Sequence, residues 1–222
     1  MQKKTAVVFG GTGLVGSYLV RELLESQEYC KIVVFSRRKV LSVVNEKLSE
    51  QIVDFENQVS YESRISGDDI FICLGTTIKK AGSVSRMEEI DRDLPVSIAK
   101  AALKNGAKGL AVISSIGAGE KSANYYLRIK GEMERGILDL DFATIALVRP
   151  SLLLGNRNEK RFGENAGKIF MKAFGFFFWG RFSKYRAIEG RDVARAMIKI
   201  LNNNTGKRVY ESDELRMLAS EK

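Results

Sequence analysis

The stretch VVFGGTGLVG, residues 7–16, constrains the fold more than any other part of the chain. An apolar run of strand character ends in a glycine-rich turn and passes directly into a helical pattern. Gly10, Gly11, Gly13 and Gly16 satisfy both Gly-x-Gly-x-x-Gly and Gly-x-x-Gly-x-x-Gly. Between a strand and a helix, such glycines permit a tight turn, a close backbone approach to a pyrophosphate and tight helix-strand packing, while the helix start offers unpaired N–H groups to an anion. Gly10, Thr12, Gly13, Leu14, Val15 and Gly16 therefore form the expected phosphate cradle. A glycine-rich turn without a ligand is the alternative.

The rest of the chain keeps that rhythm. TAVVFG, KIVVFS, QIVDF, DIFICLG, GLAVISS and FATIALVRP read as short apolar strands. Helical patterns run from about Leu14 to Ser26, Arg86 to Lys104, Tyr125 to Leu138 and Gly190 to Leu201. Strands that are apolar at nearly every position suit a parallel sheet covered on both faces. The expectation is an α/β fold: one doubly wound, Rossmann-like domain over residues 1–222, with a mostly parallel sheet. Residues 1–150 would bind the cofactor. A small substrate or lid region, about 151–190, would precede the last helix and strand.

Charge and composition then remove several function classes. The chain has no histidine, so histidine-dependent triads and the commonest zinc sites are excluded, and no metal site is expected. Cys30 and Cys73 have no metal spacing and read as reduced structural thiols. The net charge of +9 is spread along the chain, and no nucleic-acid motif accompanies it, so no nucleic-acid partner is expected. No transmembrane segment is expected. Lys3 and Lys4 run directly into a short apolar stretch unlike the core of a signal peptide, which makes a cytoplasmic location the expectation.

The end of the second strand decides between nucleotides. A site selective for NAD places an acid there for the ribose 2′-hydroxyl. This chain has Ser36, Arg37 and Arg38, and a guanidinium pair suits a 2′-phosphate, so NADP(H) is the preferred cofactor, with NAD(H) as the other option. Two solvated arginines opening a helix would give the same residues. Asp54 and Phe55 end the third strand where adenine would lie, although Asp54 suits a turn cap equally well. Leu74, Gly75, Thr76 and Thr77 follow the fourth strand, with Gly75 allowing close approach of backbone to cofactor.

Ser114 and Ser115 close the fifth strand, and Tyr126 and Lys130 sit four residues apart on the next helix, so they share a face. The order strand, serine, helix with Tyr-x-x-x-Lys is much more specific than the pair alone. Asp91 lies on the helix near these serines and reads as an exposed helix-face carboxylate.

GGTGLVG, SRR, CLGTT, ISSIGAG, YYLRIKGEME and VRPSLLLG occur in family order over most of residues 5–156, and the chain resembles an atypical or extended short-chain dehydrogenase/reductase. Within that superfamily it is similar to the Tat-interacting oxidoreductase group and its bacterial relatives. The resemblance implies that Tyr126 is the general acid/base, that Lys130 binds the nicotinamide ribose and lowers the Tyr pKa, and that Ser115 holds a substrate carbonyl. Arg149 and Pro150 fall where such enzymes pass backbone along the nicotinamide carboxamide, although ending a strand would explain both. The implied activity is NADP(H)-dependent oxidoreduction of a small-molecule carbonyl/alcohol pair. An NADPH-binding regulatory protein with little turnover and a sugar-nucleotide epimerase are the rival readings. Residues 173–182, AFGFFFWGRF, suggest core packing or a homodimer contact, a wall for an apolar substrate, or membrane-surface attachment.

Overall fold

A computed structural model describes residues 3–39, 45–155, 180–203 and 205–221. Its centre is a seven-stranded sheet. In chain order the strands are β1 (Lys4–Phe9), β2 (Tyr29–Ser36), β3 (Leu48–Ile52), β4 (Asp69–Ile72), β5 (Gly109–Ile113), β6 (Thr144–Arg149) and, after two short strands, β9 (Val209–Glu211). They are ordered β3-β2-β1-β4-β5-β6-β9, and every neighbouring pair is parallel. The expected doubly wound α/β architecture is present, with the order reversing between β1 and β4.

Alternation along β1 explains why the strands are apolar throughout. Ala6 and Val8 enter one core cluster, with Leu19, Leu23 and Met197, while Val7 and Phe9 enter the other, with Phe35, Ile98, Met133 and Ile137. Successive side chains point to opposite faces, so a sheet with helices on both sides needs an apolar residue at every position. One face is covered by α1 (Leu14–Glu25) and α6 (Gly190–Asn203), and the other by α4 (Leu94–Lys104) and α5 (Tyr125–Leu138).

Buried polar bonds lock the amino edge of the sheet. Asp69 accepts from Lys4 Nζ at 3.0 Å and from the Tyr29 hydroxyl at 2.6 Å, tying β1, β2 and β4 together, and Lys4 also reaches Asn202 on α6. Burial, and then the Asp69 carboxylate, push the Tyr29 phenol far above its ordinary value, so it stays a neutral donor.

The expected helix over 86–104 is divided in the structure. After α2 (Ile78–Ala81), α3 (Val84–Glu88) leads into one π-helical turn, Glu89–Asp93, before α4 begins with Pro95 in its first turn. β3 ends at Ile52, so Asp54 and Phe55 lie beyond the strand and not at its end. A C-terminal helix not foreseen from the sequence, α7 (Ser212–Ser220), is opened by a reciprocal capping box between Glu211 and Glu214. β7 (Leu153–Leu154) pairs with β8 (Ile188–Glu189) as a separate two-stranded ribbon. The aromatic stretch 173–182 lies outside the residues whose side chains are described.

Candidate active site

The glycine loop sits at the carboxyl end of β1, where the strand order reverses. Gly10 has φ of 80°, and a Cβ there would lie 2.5 Å from the Cys73 carbonyl oxygen at the end of β4. A Cβ on Gly16 would lie 2.2 Å from the Gly10 carbonyl oxygen, so the first turn of α1 packs directly on the loop. Gly13 caps α1 with no side-chain hydrogen bond and no acidic residue in the first turn, while Thr12 and Gly13 are exposed. Leu14, Val15 and Gly16 form that buried first turn. An uncapped helix start beneath a glycine-rich loop that is exposed at Thr12 and Gly13 is a cradle that a pyrophosphate fits.

Ser36 closes β2 nearly buried, and its hydroxyl contacts both the Arg38 carbonyl (2.8 Å) and the Glu50 carboxylate (2.9 Å). Arg37 and Arg38 follow on the surface, at the same edge of the sheet as the glycine loop. Asp54 is exposed, and its carboxylate accepts from the Glu56 N–H at 3.0 Å, so in this structure it caps a turn. Phe55 packs against Phe9 and Tyr61 on the core side of the same edge.

The β4 loop forms the next wall. Its environment desolvates the part-buried Cys73 and pushes the thiol up to about 12, so it remains a neutral, unreactive group. Leu74 is partly buried, Gly75 is exposed, and Thr77 caps α2 by accepting from Lys80 N. The Thr76 N–H donates to Asp91 at 3.0 Å. The expectation for Asp91 needs correction. It is 0% exposed, and its Oδ1 lies 2.8 Å from Lys130 Nζ, an ion pair in distance but misaligned for a hydrogen bond. The π-helical turn carrying Asp91 alters the regular spacing from which a solvent-facing side chain was expected.

Lys130 is itself 1% exposed, with its ammonium 3.5 Å from the Ile113 carbonyl at the end of β5. Two residues on, Ser115 is half-buried, and its hydroxyl makes only a long 3.5 Å contact with the Ile116 carbonyl; Ser114 is buried in the core. Asn124 caps α5 by accepting from Leu127 N at 3.2 Å. At Gly131 a Cβ would lie 2.2 Å from Gly119, so the helix can sit tightly on the β5 loop only with glycine beside Lys130. Tyr126, one turn before the lysine, is 37% exposed, whereas the Tyr125 hydroxyl is bound to Glu88. Lys130 thus reaches the carboxyl end of β5, which Ser115 follows, and Tyr126 lies one helical turn from Lys130.

Arg149 closes β6. Its guanidinium forms a two-pronged pair with the nearly buried Glu134 of α5, one arm at 2.8 Å, and the Pro150 carbonyl accepts from Ile116 N at 3.1 Å. Arg149→Ala is expected to cost on the order of 3 kcal/mol in chemical denaturation, because it strands a buried carboxylate. Arg149→Ala with Glu134→Gln should recover part of that loss.

A family profile described as NAD(P)H-binding matches residues 10–204, which includes the glycine loop and strands β2 to β8. The chain belongs to this NAD(P)H-binding family. It is 34% identical over 227 residues to protein FMP52, mitochondrial, of Candida glabrata, covering 99% of this chain and 94% of that one. It is also 35% identical over 167 residues to protein HTATIP2 of Rattus norvegicus, covering 74% of this chain and 69% of that protein. These similarities mark this NAD(P)H-binding chain as an atypical short-chain dehydrogenase/reductase related to HTATIP2. Among solved structures, the Bordetella bronchiseptica enzyme WbmG in complex with NAD superposes with a TM-score of 0.70 at 15% identity, covering 94% of this chain and 72% of that one. MoeE5 in complex with UDP-glucose and NAD gives 0.67 at 16% identity, covering 97% and 81%. At such identities the likeness is one of fold.

The expected cytoplasmic location is overturned. FMP52 relatives from Candida glabrata, Eremothecium gossypii and Kluyveromyces lactis, each matched over nearly the whole chain, are named mitochondrial proteins, and nothing supports the cytoplasm. Among the described residues no helix is long and apolar enough to cross a membrane, and no group of three or more His, Cys, Asp or Glu side chains could hold a metal ion.

Proposed function

We propose that the protein is an NADP(H)-dependent oxidoreductase acting on a carbonyl/alcohol pair of a small molecule. The observation that carries this reading is the buried Lys130, its ammonium at the Ile113 carbonyl that ends β5 and one helical turn from the solvent-open Tyr126, in a family that binds NAD(P)H. When bound, the nucleotide supplies a hydride to the carbonyl carbon. The Tyr126 hydroxyl gives its proton to the carbonyl oxygen, so the substrate leaves as the alcohol. The Lys130 ammonium favours the phenolate left behind and supplies donors for a ribose hydroxyl, and the Ser115 hydroxyl donates to the same carbonyl oxygen and orients it. Glycines 10, 13 and 16 leave space for the pyrophosphate at the start of α1. Arg37 and Arg38 suit a 2′-phosphate and are the basis for preferring NADP(H) over NAD(H).

Turnover tests the reading. Purified protein with NADPH is offered a set of aldehydes, ketones and quinones, and nucleotide oxidation is followed by absorbance. Consumption that depends on both substrate and protein supports the reaction. Tight NADPH binding with no consumption across the set would favour a nucleotide-controlled binding protein instead.

A further inference from the structure

Asp91 and Lys130 are both sealed from solvent, in a domain whose other interior positions are mostly apolar. A buried ion pair seldom stabilises more than an apolar pair of similar volume, so its presence beside the candidate site calls for another explanation. The geometry offers one. Asp91 uses its two oxygens on two different walls of the site: Oδ1 lies against the Lys130 ammonium of α5, and Oδ2 accepts from the Thr76 N–H of the β4 loop. Gly75 of that loop is also a neighbour of the carboxylate, since a Cβ there would lie 3.4 Å from Asp91 Oδ1, in ordinary contact. The carboxylate is delivered by the single π-helical turn, Glu89–Asp93, a distortion that often accompanies functional sites. The ammonium also lies 3.5 Å from the Ile113 carbonyl, at the strand end that Ser115 follows.

We propose that Asp91 is a positioning residue of the nucleotide site. It holds the Lys130 ammonium aimed at the end of β5 and fixes the β4 loop at the same distance from it, so that both meet the nicotinamide half of the cofactor in register. This rests on the nucleotide reading of the site given above.

A double-mutant cycle with NADPH titration tests it. Asp91→Asn keeps the shape and an acceptor for Thr76 but removes the charge opposite Lys130. In the wild-type background it should weaken NADPH binding by about tenfold or more. In a Lys130→Met background the same substitution should change affinity by less than about twofold, and should raise the melting temperature by removing a lone buried carboxylate. Equal losses in both backgrounds would mean that Asp91 acts through the loop alone and would overturn the proposal, as would an unchanged affinity of Asp91→Asn. If Asp91→Asn does not fold, the cycle is run with Asp91→Glu, for which a smaller loss that again vanishes with Lys130→Met is expected. Wild-type protein that binds neither NADPH nor NADH overturns the nucleotide reading itself, and the unmodified protein alone reports that outcome.

Discussion

Tyr126→Phe is expected to lower kcat by roughly 10²–10⁴-fold while leaving NADPH affinity within about twofold of wild type. The substitution deletes one oxygen and nothing else. Tyr126 is 37% exposed at the start of α5, so the ring contributes little core packing and the helix should fold unchanged. Its neighbour provides the control. Tyr125 is bound through its hydroxyl to Glu88, and Tyr125→Phe should keep turnover near the wild-type level because no reacting group is removed. Single-turnover measurement with saturating NADPH separates the chemical step from binding. Persistent turnover in Tyr126→Phe would remove the proposed proton donor; equal loss in both variants would point to damage at the helix start.

Gly16→Ala should abolish nucleotide binding, weakening NADPH by about a hundredfold or more, roughly 2.7 kcal/mol, and should also lower stability by about 1–3 kcal/mol. The added methyl would lie 2.2 Å from the Gly10 carbonyl oxygen, a backbone atom that cannot swing aside as a side chain does. Either α1 moves off the loop or the loop opens, and both displace the N–H groups that meet the pyrophosphate. Gly106→Ala, in the turn before β5, is the comparison. Its φ of 91° strains the substitution as well, but no atom lies within 4 Å, so stability should fall without loss of NADPH affinity beyond that caused by unfolding. Calorimetric titration alongside thermal melting distinguishes the two variants.

Much of this site is readable from local sequence because local sequence determines it. The β1 strand, the glycine turn and α1 follow from apolar run, glycine spacing and helical period, and α5 occupies Tyr125–Leu138 as its pattern and its Asn124 cap indicate. The misreadings arise where regular periodicity stops. Asp91 was expected on an exposed face because residues 86–104 look like one regular helix; the π-helical turn and its pairing with a lysine 39 positions away are not visible in spacing. Capping signals at Thr77 and Ser83 mark the breaks that divide this region into α2 and α3, and they were available in the sequence. β3 is an edge strand with half-buried residues, so its boundary is weakly specified, and Asp54 and Phe55 fall past its end. The partner of Arg149 was not visible at all: Glu134 is a buried carboxylate on a helix whose composition alone would place it in solvent.

The central claim, a nucleotide site with a 2′-phosphate preference at the carboxyl edge of this sheet, is tested most directly by titrating the full chain with NADPH and NADH side by side, with Arg37→Ala in parallel. The account predicts that NADPH binds about tenfold more tightly than NADH or better, worth about 1.4 kcal/mol, and that the variant loses this margin while its NADH affinity holds. Equal affinity for the two nucleotides in the wild type, or a preference that survives in Arg37→Ala, would contradict the assignment of the arginine pair. Failure of both to bind would contradict the site itself.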